Sequence, residues 1–448
     1  LEPDQAWALR LLALPEGPDL SLAAAAAVLD LDESYCEGLL ESLVDLSLLK
    51  STAPGRWRYH DLLRLYARHR SGLDSTASER EAALSRLLDF YLATARQAYA
   101  VENPGDRMLE HLPTISRSGL FFEDHRLALR WLFGEGPCVL ATVQQAADAP
   151  TLLPRAEAVL FVVQDLMESG AYLRQYTSAA QAVADSAHAT GDTCSEGRAR
   201  VLLAWVHYHV GHLQEAHAEA KRALTLGQAA KDSLTCSYAL NLRGTVALVQ
   251  GQGHYEDAIK YHTQALSLFR ADGNRYGETS ALSNIARVHL ELGHVGQALA
   301  AAQRAVESWQ ELGATLRLTN GYYTLGLALH TAGRHGEALS RFRQAQAGFQ
   351  ESRQMFWEGM ATFRMAQVEL AMLQPGQATA HAEHALVLLR DIGGNRWRAH
   401  VLVLLGQALE QLGQTERART CWQQALTDFE QLESPETTKV RALLAACS

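Results

Sequence analysis

No GxxxxGK(S/T) segment occurs in this 448-residue chain, and no glycine precedes a lysine. Without a phosphate-cradling loop and its lysine, the chain by itself is not expected to hydrolyse ATP. HExxH, GxSxG and GxGxxG are missing as well, so the common metalloprotease, hydrolase and dinucleotide signatures give no lead. No run of 18 apolar residues is present, so no membrane-spanning helix is expected. The alanine run at 23–27 is short and closed by Asp30 and Asp32. No N-terminal signal peptide is visible. Six cysteines (Cys36, Cys138, Cys194, Cys236, Cys421, Cys447) form no CxxC pair; they read as free thiols in a reducing, cytoplasmic setting. An excess of basic charge is also missing: 40 Lys and Arg face 50 Asp and Glu, a net −10, the opposite of a nucleic-acid footprint. The chain begins with Leu1, as expected of a fragment or a processed product.

What is present is a ruler. Ala216, Ala258, Ala298, Ala338, Ala378 and Ala418 are spaced by 42, 40, 40, 40 and 40 residues. A second ladder follows seven residues behind, at Ala223, Ala265, Ala305, Ala345, Ala385 and Ala425. A fixed period of this size means stacked like units. Within one period two runs recur with apolar spacings of three, four and seven, the amphipathic helix signal. Gly211, Gly253, Gly293, Gly333 and Gly413 stand between the runs as helix stops. The unit with Ala378 instead has Leu373 at that register, then Pro375-Gly376. Small residues on the first helix (Gly244, Ala286, Gly326, Ala366, Gly406) let helix axes approach closely, and Phe342 and Trp422 fill space nearby.

These hairpins resemble the tetratricopeptide repeat (TPR), with a period longer than the usual 34 residues. The array covers 191–432 as six units, preceded by a degenerate unit over 151–190 with Gly170, Tyr172 and Tyr176 near its corner. Two extra residues around Val249–Gly253, and Arg243 at an apolar register, make the second unit the expected site of a bend. Ser434-Pro435 reads as a cap and first-turn proline opening a terminal helix within 433–448.

Residues 1–72 have another pattern. Helices are expected over Ala6–Leu14, Ser21–Leu29 and Ser34–Leu46, then two short strands, Leu48–Ser51 and Arg56–Tyr59, around Ala53-Pro54-Gly55. That order makes a winged helix with a small β-hairpin wing. Its third helix carries Asp30, Asp32, Glu33, Glu37, Glu41 and Asp45 in or beside it and no Lys or Arg. Such a helix suits the major groove poorly, so no direct nucleic-acid binding is expected. The positive charge (Lys50, Arg56, Arg58, Arg64, Arg68, Arg70) lies on the wing and the following helix.

The wing runs into Tyr59-His60-Asp61-Leu62. This stretch resembles the end of the winged helix in NB-ARC-type signalling ATPases, the STAND class, which carry Met-His-Asp there. Tyr59 replaces the Met; His60 and Asp61 match. The resemblance implies that His60 reaches the β-phosphate of ADP in a full-length protein, that Asp61 supports the local geometry, and that ADP or ATP belongs to an upstream domain. No cofactor is expected in this chain. Arg86–Leu92 and Ala128–Leu132, within a helical spacer over 73–150, are similar to the spacer of the large antibiotic regulators of the SARP family. Those regulators place DNA-binding, activation and ATPase domains before their winged helix and TPRs.

The fold expected is therefore all-α: winged helix, helical spacer, TPR superhelix. The first helix of each hairpin should line a concave groove. Tyr238, Asn241, Asn284, Arg287, Tyr323, Arg364 and Gln367 are the expected inward residues; Asn and Arg suit an extended, acidic peptide. The functional expectation is a sensor and autoinhibitory region that binds a protein, a peptide, another effector or its own upstream domains, and that oligomerises on activation. The other reading is a free-standing TPR scaffold without nucleotide control. His207, His209, His212 and His217, and His381 with His384, have spacings that could hold a metal, but they read as solvated helix-end histidines.

Overall fold

Pro3 in the first turn and a reciprocal cap between Glu2 and Gln5 start α1 (Pro3–Leu12). The computed structural model describes residues 1–448 except Arg353, 391–393, Glu433, Pro435 and 447–448, and omits the side chains of 394–396. It forms two units, Leu1–Glu278 and Thr279–Ser448. In the first, Ser21 caps α2 (Leu22–Leu29), the buried alanine-rich helix. Asp32 caps α3 (Glu33–Asp45), which turns Cys36, Leu39, Leu40 and Leu43 inward. Three antiparallel strands complete the winged helix: β1 (Leu20–Ser21), β2 (Leu49–Ala53) and β3 (Arg56–Tyr59), in the order β1-β3-β2. Two-residue β1 has no sequence period and is an addition to the expected hairpin.

α4 (Asp61–Asp74) is held by its basic face. Arg64 and Arg68 donate to the carbonyls of Ala13, Leu14 and Pro15, the groups left open where α1 ends. Arg56 pairs with Asp19 and with buried Glu135. Three of the six cations at the wing and α4 are thus committed to packing. Lys50, Arg58 and Arg70 remain exposed.

The spacer is α5 (Ala77–Glu102), opened by a Thr76–Glu79 capping box, and α6 (His125–Ala146), joined by a connection with one 3-10 turn at Met108–His111. Then come α7 (Leu153–Val162), α8 (Asp165–Glu168) and α9 (Leu173–Thr190). Gly170 takes a left-handed φ of 76°, and Tyr176 Oη donates to the Leu160 carbonyl at 2.9 Å. The hairpins of this unit are α10 (Thr193–His209) with α11 (Leu213–Ala230), and α12 (Ser233–Gln250) with α13 (Tyr255–Asp272). One core runs from Ala8 to Ala239, so winged helix, spacer and first repeats pack as one body.

The unit boundary falls inside α14 (Arg275–Glu291). The second unit continues with α15 (Val295–Leu312), α16 (Thr315–Thr331), α17 (His335–Glu351), α18 (Met355–Ala371), α19 (Pro375–Leu388), α20 (Gly394–Gln411), α21 (Thr415–Gln431) and α22 (Thr437–Ala446). Val440 seats α22 in the core of this unit. Pro435, the expected first-turn proline, lies outside the described residues.

Every alanine of the leading ladder is fully buried. The corner glycines hold φ between 72° and 91°. Leu373 adopts the same left-handed turn at φ 58° and leaves its side chain 78% exposed, so the corner imposes its conformation where glycine is missing. The two extra residues of the second hairpin lengthen α12 by one and its corner by one. α12 runs unbroken past Arg243. That guanidinium sits 4.1 Å from the Tyr261 ring centroid and donates to the Tyr261 hydroxyl.

The position four after each leading alanine meets the small residue on the first helix, and the two alternate together. Gly244 faces His262, Gly326 faces Phe342 and Gly406 faces Trp422. At the same registers between them stand Ala204 with Ala220, Ala286 with Ala302, and Ala366 with Ala382, all buried. A ring is present wherever the opposing Cβ is missing, which conserves volume at each crossing. Because the ladder itself has no such slack, Ala338→Leu is expected to overpack its crossing and cost roughly 1–3 kcal/mol. Denaturant unfolding checks this, and a neutral result would remove Ala338 from the crossing.

Candidate functional site

Two places carry the expected site residues. The first is the corner between β3 and α4. His60 is the N-cap residue of α4, exposed and making no cap hydrogen bond; Asp61 opens the helix, also exposed. First-turn amides and the helix dipole favour an anion there. Beyond His60, one side of α4 shows Leu62, Leu65, Tyr66 and Leu73 at 81, 64, 60 and 66% exposure. With exposed His69 they form a stripe at helical spacing. The opposite side is fixed by Arg64 and Arg68 on the end of α1, which turns the apolar stripe outward.

The second place is the inner face of the repeats. Tyr323, Arg364 and Gln367 come together in the second unit. Arg364 Nε donates to Tyr323 Oη at 3.2 Å, and Nη1 donates to Gln367 Oε1 at 2.7 Å. The Tyr323 ring packs edge-on against Phe342, Phe349 and Trp357. Arg364 and Gln367 line an open concavity of about 490 Å³ with Leu327, His330, Thr331 and Leu370. Burial pushes the His330 imidazole below its ordinary value, and His335 and Arg364 add to the shift, so Arg364 is the cation of this concavity. Asn284 and Arg287 sit half-buried on one side of α14. Arg287 is one period before Leu327 and two before Gln367, the wall of the concavity.

Tyr238 and Asn241 do not present an open surface. Both are largely covered: Asn241 Oδ1 meets His262 Nδ1 at 2.9 Å, and Tyr238 Oη donates to Asp106 Oδ2 at 2.9 Å. The partner of Tyr238 belongs to the connection between α5 and α6. Nearby lies a charged network that helical periodicity did not single out. Arg198 makes two hydrogen bonds to Asp232, at 2.9 and 3.1 Å, and stands 3.5 Å from Glu157. All three are buried. Burial pushes the Glu157 carboxyl up to about 8 against the pull of Arg198. In the sequence the three are separate charges, Glu157 on α7, Arg198 on α10 and Asp232 capping α12, and no periodicity links them. Among the described residues no group of three or more His, Cys, Asp or Glu is placed to hold a metal ion.

Tetratricopeptide-repeat family models match residues 235–311, 278–351 and 399–427. The chain is 48% identical over 445 residues to the regulatory protein AfsR of Streptomyces griseus, and 50% identical over 449 residues to AfsR of Streptomyces coelicolor. Each match takes in 99% of this chain. Over that length the chain is similar to these two regulatory proteins. It spans less than half of these curated relatives, 44% and 45%. A STAND protein with a tetratricopeptide-repeat sensor from Pyrococcus horikoshii superposes with a TM-score of 0.51, covering 99% of this chain and 66% of that chain, at 13% identity. At that identity the likeness concerns the fold alone. Among the described residues no helix is long and apolar enough to cross a membrane.

Proposed function

We propose that this chain is the sensor and autoinhibitory region of a STAND-type transcriptional regulator, acting by binding rather than catalysis. The observation that carries the reading is the outward face of α4. An exposed apolar stripe on a rigid, buried-core module marks a protein interface, and His60 stands at its head beside a helix N-terminus. A nucleotide-binding domain docked on Leu62, Leu65 and Tyr66 would bring an ADP β-phosphate within reach of the imidazole and the first-turn amides. Bound ADP would supply the charge that holds the closed state. This chain would supply the donor that retains it. The likeness to two AfsR regulatory proteins supports the regulatory role.

The ligand side of the reading rests on the second unit. Tyr323 and Gln367 hold the Arg364 guanidinium in place, facing a concavity with apolar walls. A fixed guanidinium of this kind suits a carboxylate of a protein or peptide partner. The continuous core from Ala8 to Ala239 gives the first repeats a mechanical path to the winged helix.

The test is ADP retention. In a longer protein carrying both this chain and its nucleotide-binding domain, His60→Ala removes one charge-assisted hydrogen bond. Such bonds contribute about 1.5–3 kcal/mol, so the ADP off-rate should rise roughly tenfold or more. An unchanged off-rate in stopped-flow displacement would refute the role of His60.

A further inference from the structure

Residues 103–112 leave the end of α5 and lie across the first helices of three successive hairpins. From α10, Arg198 Nη2 donates to the His111 carbonyl at 3.1 Å. From α12, Tyr238 Oη donates to Asp106 Oδ2 at 2.9 Å. At the start of α14, Asn274 Nδ2 donates to Asp106 Oδ1 at 2.8 Å, and Tyr276 Oη donates to Asn103 Oδ1 at 2.6 Å. The Tyr276 amide donates to the Gly105 carbonyl at 3.4 Å. Asp272 takes His111 Nε2 at 3.0 Å on its carboxylate and Arg107 on its carbonyl. Met108 and Leu112 are buried as the apolar anchors.

This is how a bound peptide is held: backbone groups satisfied, spaced side chains anchored, one charged group read by converging donors. The group read is the carboxylate of Asp106. It accepts from two tyrosine hydroxyls, Tyr99 at 2.7 Å and Tyr238, from the Asn274 amide, and from the Met108 N–H at 2.9 Å. Three of those four donors come from outside the segment. The segment has only one turn of regular structure, so its order comes from the surface beneath it.

We propose that the inner face of α10, α12 and the start of α14 is a binding site for an extended acidic peptide, filled in cis by residues 103–112. Asp106 stands where the partner's carboxylate binds, so a partner must displace this strap and not enter an open groove. The inference is independent of His60 and of Arg364, which lie elsewhere. A tethered segment competes at an effective concentration in the millimolar range, so a peptide added in trans should bind measurably only when the strap is weakened.

The experiment uses the whole 448-residue chain, wild type and Asp106→Ala, with a fluorescent peptide copying residues 101–113. The variant should bind the peptide at least roughly tenfold more tightly than wild type, and a peptide carrying alanine at its own aspartate should bind neither. Amide exchange over 103–112 should quicken roughly tenfold in the variant while α1–α3 stay as in wild type. Equal peptide binding by both chains, or binding by neither, overturns the proposal, as does unchanged exchange in the strap. If Asp106→Ala fails to fold, Tyr238→Phe is the milder variant. It deletes one hydroxyl and keeps the ring packed on Phe161 and Phe269. Faster strap exchange is again expected, and no change overturns the proposal.

Discussion

Replacing Arg198 by alanine is expected to destabilise the first unit by roughly 3–5 kcal/mol, the range seen when one partner of a buried ion pair is removed. Arg198 is the only cation in direct contact with both Glu157 and Asp232 among the ion pairs of the described residues. Its loss leaves Asp232 charged and buried, with the Thr235 N–H and hydroxyl as its remaining side-chain partners among the described residues. It also frees the His111 carbonyl, so the strap loosens with it. Denaturant unfolding, with amide exchange on α7, α10 and α12, measures the effect. A loss below about 1 kcal/mol would place the network on the exposed-pair scale and contradict the burial argument.

The same network sets a pH dependence. Burial raises Glu157 from an ordinary 4.5 to about 8, so the folded chain holds a proton there that the unfolded chain releases. Its contribution is full below the unfolded value and is lost as pH rises toward 8. Burial works to raise Asp232 too, but the Arg198 hydrogen bond and charge outweigh it and hold it below its ordinary value. Its contribution therefore has the opposite sign: present above the unfolded value and lost in acid. Carried on the Glu157→Gln background, the pH series should lose the decline between 4.5 and 8 and keep the acid limb.

Trp422→Ala should cost roughly 3–5 kcal/mol, the range for emptying a fully buried aromatic site. The indole is wholly buried, and its Nε1 donates to the Val403 carbonyl at 3.2 Å. The ring fills the space left by Gly406: a Cβ there would lie 2.2 Å from Trp422 Nε1. Gly406→Ala alone should therefore also destabilise. The double substitution should recover part of the loss, because it recreates the alanine–alanine crossing of the neighbouring repeats. A double-mutant cycle reads this coupling. Strict additivity would show that the alternation of rings and missing Cβ atoms along the stack is not a packing relation. The damage should stay near α20 and α21, since repeat stacks depend on nearest neighbours.

The helix hairpins were legible because their signals are local. The ladder alanines, the corner glycines and the caps at Ser21 and Asp32 each act within a few residues of the position they govern. The winged helix was legible for the same reason, apart from β1, whose two residues are a strand only because Leu20 and Ser21 pair with Trp57 and Arg56. His60 and Asp61 were placed by their motif, and the fold sets both on an exposed corner. Arg364 and Gln367 repeat the register of Asn284 and Arg287 two periods on, whereas Tyr323 is one position off that register, is buried, and joins them through its hydroxyl. The covering of Tyr238 and Asn241 was not legible, because both residues read as the polar side of an amphipathic helix. Periodicity reports which side of a helix is apolar; it carries no information about which distant segment lies on the polar side.

By itself, then, the sequence determined the elements, their order and the crossings of the repeats, through residue size and helical period. Tertiary structure alone decided which polar face is filled and which is open. Asp106 reaches Tyr238 across 132 residues of chain, and Arg198 joins Glu157 to Asp232 from three different parts of the fold. Those pairings depend on closing long loops against entropy, and only the packed core that fixes both ends makes them favourable.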